Sequence, residues 1–196
     1  MRNRETKLIS MVIAALLCAI GIVIPMFAPK IILEPASFTL ASHVPIFIAL
    51  FISPPVAVAV SIGTSFGFLF AGFPIVIVLR AFSHLFFALT GAFILKRKEN
   101  MLASVGKSTM FGLLLALIHA VSEVTVVTLF YFGNNMPKNY YANGYFMSVI
   151  LLVGVGTIVH SMVDFGIALF VWKPLSHVIN IPVSAKTVLK REAAVK

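Results

Sequence analysis

Apolar residues run in long blocks along this chain, broken by short polar punctuation. A helix needs about 20 apolar residues to cross the hydrocarbon core of a bilayer. The first block, residues 8–28, meets that length and ends near Pro25 and Pro29. It begins after a basic stretch, as a signal peptide does, but is too long for such a segment, so it reads as a retained first helix. The segment PKIILEPAS, 29–37, reads as a loop. A second span covers 38–53, interrupted by His43 and Pro45, and a turn follows at Pro54-Pro55. A third, 56–71, carries the small residues Ser61, Gly63, Ser65 and Gly67. Gly72-Phe73-Pro74 turns the chain into a fourth span at 75–95. The charged run Lys96-Arg97-Lys98-Glu99-Asn100 leads to a fifth at 105–132. The polar, aromatic loop FGNNMPKNYYANG, 132–144, precedes a sixth at 146–172. The pattern predicts an all-α integral membrane bundle of six transmembrane helices in one domain, 1–175, with a basic cytoplasmic tail, 176–196. No internal repeat is visible.

Composition agrees with that pattern. Of the 196 residues, 60% are hydrophobic and 11% charged, and the mean hydropathy is +1.06. Soluble chains carry about 25% charged residues. The formal net charge of +9 would suggest nucleic acid in a soluble protein, but here the basic residues sit at span ends, where they set topology and meet anionic headgroups. Arg2, Arg4, Lys7, Lys96, Arg97, Lys98, Lys107, Lys173, Lys186, Lys190, Arg191 and Lys196 fall on one side, and only Lys30 and Lys138 on the other. The positive-inside rule then places both termini in the cytoplasm and the loops 29–37 and 132–145 outside. The single cysteine, Cys18, lies in an apolar run and permits no disulfide within the chain.

The chemistry lies in polar groups at membrane depth. An ionisable residue there costs a few kcal/mol on insertion scales, and it faces a partner, a cavity or the bundle interior. Arg80 and His84 stand four apart on span four, His119 and Glu123 on span five, and His160 and Asp164 on span six. Each i, i+4 pair shares one helix face, so three polar stripes are expected to converge. At 1.5 Å per residue, Arg80 lies about 10 Å and Glu123 about 13 Å below the outer surface, so the two can meet. One reading is a pocket open to the outside, with the Arg80 guanidinium as a fork for a carboxylate. The other is an ion pair that only joins two helices. A metal site of His119, Glu123, His160 and Asp164 is a third possibility, without a recognised motif. His43 either lines the same cavity or packs as a hydrogen-bonded histidine, and the packing reading is preferred. In the second outer loop, Asn134, Asn135 and Tyr140 suit a small polar ligand, whereas the tyrosines suit an interfacial belt equally well. Span one carries a small-xxx-small pair, Ala15 and Ala19, a face for close helix approach. No Walker A loop or nucleophile motif is present, so neither ATP hydrolysis by a P-loop nor covalent catalysis is expected, and no cofactor is implied.

In its size, six spans, cytoplasmic termini, long first outer loop and Ala15-xxx-Ala19 pair, the chain resembles the substrate-binding S components of energy-coupling factor (ECF) vitamin importers over residues 5–175. The resemblance implies a non-enzymatic subunit that captures a small vitamin from outside and works with a transmembrane T subunit and two ATPase subunits. It also implies that Ala15 and Ala19 dock the T subunit, and that the ligand lies among helices four to six and the first outer loop. The stretches ASHVPIFIALFISPPVAVAV and FPIVIVLRAFSH are similar to members for small anionic vitamins, niacin in particular; pantothenate is a carboxylate too. Arg80 would hold the carboxylate, with His84 near the ring. The nickel and cobalt members carry an N-terminal His-containing loop, which MRNRETK lacks, so no bound metal is expected. The competing readings are a stand-alone proton-coupled carrier and an intramembrane enzyme or assembly factor. Against the carrier stand its small size and lack of a repeat.

Overall fold

The computed structural model describes residues 2–33, 36–179 and 181–186. Helix α1 (Arg2–Phe27) leads into a two-stranded antiparallel hairpin, β1 (Lys30–Leu33) and β2 (Ala36–Thr39), which pairs Lys30 with Thr39 and Leu33 with Ala36. The hairpin is closed by the Leu40 N–H donating to the Pro29 carbonyl at 3.1 Å. Helices α2 (Val44–Ile52), α3 (Pro54–Phe70), α4 (Ile75–Arg97) and α5 (Val105–Phe132) follow. A short helix α6 (Lys138–Ala142) precedes a π-helical stretch, Phe146–Val155, which continues into α7 (Gly156–Val178).

The hairpin differs from the expected loop. Its N–H and C=O groups pair with each other, an arrangement open to Ile31 and Ile32, whose branched side chains favour strands. Residues 38–43, assigned above to the second span, belong instead to β2 and the turn after it. The second helix is therefore nine residues long, about 14 Å at 1.5 Å per residue, too short to cross a bilayer. Four described helices are long and apolar enough to cross: Arg4–Phe27, Ile75–Arg97, Val105–Phe132 and Phe146–Val178. Pro54–Phe70 is a shorter apolar helix. The break at Pro54-Pro55 is present: Ser53 is extended (φ −170°, ψ 160°) and proline opens α3, where its missing N–H costs nothing.

Every residue of α2 is buried, so this helix is the core of the bundle, not part of its lipid-facing surface. Phe47 packs against Phe87 of α4 and Phe165 of α7, with ring centres 5.4 and 5.3 Å apart. Phe51 meets Trp172 at 5.6 Å. Glycines let the outer helices close on one another. A Cβ on Gly112 of α5 would stand 2.6 Å from the Phe165 ring, and one on Gly63 of α3 would stand 2.6 Å from Cys18 Sγ of α1. The face of α1 that meets the bundle carries Ala14, Leu17 and Gly21, while Ala15 and Ala19 lie on its exposed face.

The chain beyond α7 folds back beneath α2. The Ala185 and Ser184 N–H groups donate to the Phe51 and Ile52 carbonyls, each at 2.9 Å, and so satisfy a helix end that is buried. Ile181 and Ala185 are buried there, and Lys186 pairs with Glu99. The expected tail, 176–196, is thus partly packed structure; its Lys190, Arg191 and Lys196 lie outside the described residues.

The α5–α7 contact yields a test. Gly112→Val places a branched side chain against the rigid Phe165 ring and should cost about 1–3 kcal/mol. A lowered thermal midpoint of the purified protein in detergent is the expected readout; an unchanged midpoint would mean that α5 and α7 do not approach this closely.

Candidate functional site

The three polar stripes converge, and they do so around Glu123. Arg80 Nη2 donates to Glu123 Oε2 at 2.8 Å, and Thr157 Oγ1 donates to the same oxygen at 2.8 Å. The other oxygen, Oε1, stands 3.4 Å from Nε2 of His84 and 3.4 Å from Nε2 of His119. Glu123 therefore ties α4, α5 and α7 together. The carboxylate is buried, and lipid supplies no donors, so protein groups must hold it. The Arg80 Nε is also buried and makes no hydrogen bond, which leaves part of the guanidinium fork unused.

A second carboxylate organises the other side of the site. Asp164 Oδ1 accepts from the Ala41 N–H, and Oδ2 from the His43 N–H, both at 2.8 Å. His43 Nδ1 lies 3.1 Å from Oδ2 and His160 Nε2 lies 3.4 Å from it. Ser42 Oγ bonds His160 Nε2 at 3.1 Å. Ala41 has φ 64°, the left-handed region that an L residue seldom enters, and its amide bond to Asp164 helps hold it there. Asp164 thus fixes the turn between the hairpin and α2, and with it the position of His43.

The histidine rings form one packed cluster. His43 lies 4.8 Å from His84, 4.7 Å from His119 and 4.9 Å from His160, ring centre to ring centre, edge to face in each case. Above it opens a cavity of about 560 Å³ at the hairpin end of the bundle. That volume is in the range of small-molecule sites. Its walls combine the aromatic residues Phe38, Phe68, Phe73 and Tyr140 with the polar groups Lys30, Arg80 and Asn135. Phe38 enters because residue 156, at the junction of the π stretch and α7, is a glycine; a Cβ there would strike the Phe38 ring.

Of the residues singled out from sequence, Arg80, His84, Glu123, His160, Asn135 and Tyr140 line this cavity. His119 lies within the histidine cluster, its Nδ1 2.6 Å from Ser161 Oγ. Asn134 is exposed, with φ 55°, and does not line the cavity. Tyr141 and Tyr145 hold the second loop in place: the Tyr141 hydroxyl donates to the Tyr131 carbonyl at 3.1 Å, and the Tyr145 hydroxyl bonds Thr128 Oγ1 at 2.9 Å. Sequence reasoning missed two residues and undervalued a third. His43, for which packing was preferred over a place in the cavity, lines the cavity and is the centre of the cluster. Lys30 and Thr157 were passed over, one as a topology marker and the other as an ordinary helix residue. The signal for Lys30 was its position: with Lys138, one of two basic residues assigned to the outer side.

The chain is similar to the niacin transporter NiaX of Lactococcus lactis subsp. cremoris (strain MG1363). The two are 38% identical over 189 residues, covering 94% of this chain and 82% of that protein. No family profile matches the chain, and no solved structure matches it.

Asp164→Ala strips the acceptors from two backbone N–H groups, at about 1–3 kcal/mol for each donor left unsatisfied. The variant should unfold at lower temperature, and amide hydrogen exchange at Ala41 and His43 should accelerate. Asp164→Asn keeps one acceptor oxygen and should lose less. Equal exchange in all three proteins would refute the anchoring role.

Proposed function

The chain belongs to the S-component family of membrane vitamin transporters that includes the niacin transporter NiaX, and on that premise we propose that it captures niacin, as nicotinate, in the cavity above the histidine cluster. It is a multi-pass transporter and not an enzyme. One observation carries the assignment of the site. Arg80 is a cation on the cavity wall whose Nε donor has no hydrogen-bond partner, while Glu123 holds the guanidinium in place through Nη2. A carboxylate entering the cavity meets a guanidinium already oriented by Glu123 and with donor capacity to spare. The ion pair with Glu123 and the binding of an anion are then parts of one device, because the pair fixes the orientation of an arginine that would otherwise lose rotamer freedom on binding. Phe38, Phe68 and Phe73 offer apolar faces for a flat ring, and Asn135 and Tyr140 stand at the rim. Lys30 supplies a second positive charge that draws an anion toward the opening.

We assign the hairpin end to the outside, with both termini in the cytoplasm and six passes, the short α2 and α3 together forming an incomplete pair within the bundle. The basic residues near the opposite end support this orientation. Uptake in this reading needs a T subunit and two ATPase subunits, since the chain has no nucleotide loop of its own. The exposed face of α1, where Ala15 and Ala19 lie, is the surface that meets the T subunit; the small side chains there are not used for packing inside the bundle.

Calorimetry of nicotinate binding tests the pocket. Arg80→Ala should weaken binding about 10- to 100-fold, the worth of a charge-assisted hydrogen bond. Arg80→Lys keeps the charge but loses the planar fork, and should fall between the two. Unchanged affinity in Arg80→Ala would remove Arg80 from the site. Replacing Ala15 and Ala19 together with leucine should leave nicotinate affinity as it is and abolish uptake in cells. Full uptake by that double variant would place the docking surface elsewhere.

A further inference from the structure

We propose that His43, His84 and His119 form a binding site for a divalent transition-metal ion of the zinc, nickel or cobalt type at the floor of the cavity. The proposal deepens the vitamin-pocket reading and rests on it only for the role given to the ion. One ring nitrogen from each of the three histidines lies within 4.8 Å of the others. All three side chains are buried. Neutral imidazole is a donor suited to these ions.

The surroundings of the rings are those of ligands rather than of packing residues. A metal-bound histidine commonly uses its second ring nitrogen for a hydrogen bond that fixes the ring. His43 Nδ1 faces the Asp164 carboxylate at 3.1 Å, and His119 Nδ1 faces Ser161 Oγ at 2.6 Å. In both, Nε2 is the nitrogen left over. In His119 that Nε2 is buried and makes no hydrogen bond, although Glu123 Oε1 is 3.4 Å away. A buried ring nitrogen without a partner is costly unless something else occupies its lone pair. The 3.4 Å spacing is long for a hydrogen bond. It also separates Glu123 Oε1 from His84 Nε2.

Charge agrees. Glu123 and Asp164 flank the cluster with two negative charges, and Arg80 contributes one positive. With Arg80 counted, these groups sum to one negative charge, which a divalent ion offsets. His43 and His84 line the cavity while His119 lies below them. An ion held by the three would therefore present its open coordination position to the cavity, where the aromatic nitrogen of a ligand can complete the shell while its carboxylate lies toward Arg80. That would distinguish a pyridine carboxylate from a benzene carboxylate of the same shape.

The test uses the full-length protein in detergent, freed of metal by dialysis against a chelator. Cobalt(II) is titrated in and followed by its visible absorption, and nicotinate affinity is measured by calorimetry on metal-free and zinc-loaded protein. One cobalt ion per chain is expected, with affinity reduced by at least about tenfold in both His84→Asn and His119→Gln. Zinc loading is expected to tighten nicotinate binding about tenfold or more and to leave benzoate binding unchanged. Absence of saturable cobalt binding by the unaltered protein would overturn the metal site, whatever the variants do. Equal nicotinate affinity with and without zinc would overturn the ion's role and leave the vitamin pocket standing. Cobalt binding without nicotinate binding in either form would support the metal site and sink the vitamin reading.

Discussion

Lipid offers no hydrogen bonds, so a carboxylate inside a membrane bundle has to be satisfied wholly by the protein. Among the described residues there are two such buried groups, and much of the architecture follows from how they are held. Glu123 sits on α5 and draws donors from α4 and α7: Arg80 and Thr157 at 2.8 Å, with the His84 and His119 rings 3.4 Å away. Asp164 reaches across to the turn before α2 and takes two backbone N–H groups. One carboxylate gathers helices; the other fixes the end of the hairpin. Between them lies the histidine cluster, and above it the cavity. Removing one partner of a buried ion pair costs about 3–5 kcal/mol, so these positions are coupled to folding.

Much of the site was legible in the sequence because helical spacing is rigid. Arg80/His84, His119/Glu123 and His160/Asp164 each had to share a face, and counting residues from Phe73 and Phe132 placed Arg80 and Glu123 at similar depth. The structure joins them at 2.8 Å. The ends of α4 and α5 were equally readable from glycine, proline and charge. What failed was the stretch 38–43. Its apolar character continues that of α2, and hydropathy cannot distinguish a strand at the membrane surface from the first turns of a helix. That error obscured the central place of His43. Placed on a spanning helix, it was one isolated polar residue; placed in a turn pinned by Asp164, it meets three other imidazoles. Side-chain contacts between elements far apart in sequence, such as Thr157 with Glu123, have no local signature at all.

The helix α2 gives the bundle an axis. Its first turn adjoins the histidine cluster and its last carbonyls meet the chain beyond α7, while Phe47 and Phe51 contact α4 and α7 along the way. A close-packed helix of this kind is stiff over its length. The floor of the cavity and the far end of the molecule are thereby joined through one rigid element rather than through loops. The exposed face of α1 stands apart from that axis, with Ala15 and Ala19 directed away from it.

The seal beneath α2 also bears on how the protein is made. The Phe51 and Ile52 carbonyls receive the amides of Ala185 and Ser184, and every helix from α3 to α7 lies between those two segments in the chain. During synthesis α2 therefore emerges long before its cap exists. Such distant contacts close late, because the intervening chain must first be ordered. Until translation reaches residue 185, the central helix ends in two carbonyls without their eventual donors, and the core of the bundle is completed by one of the later-made pieces of the protein.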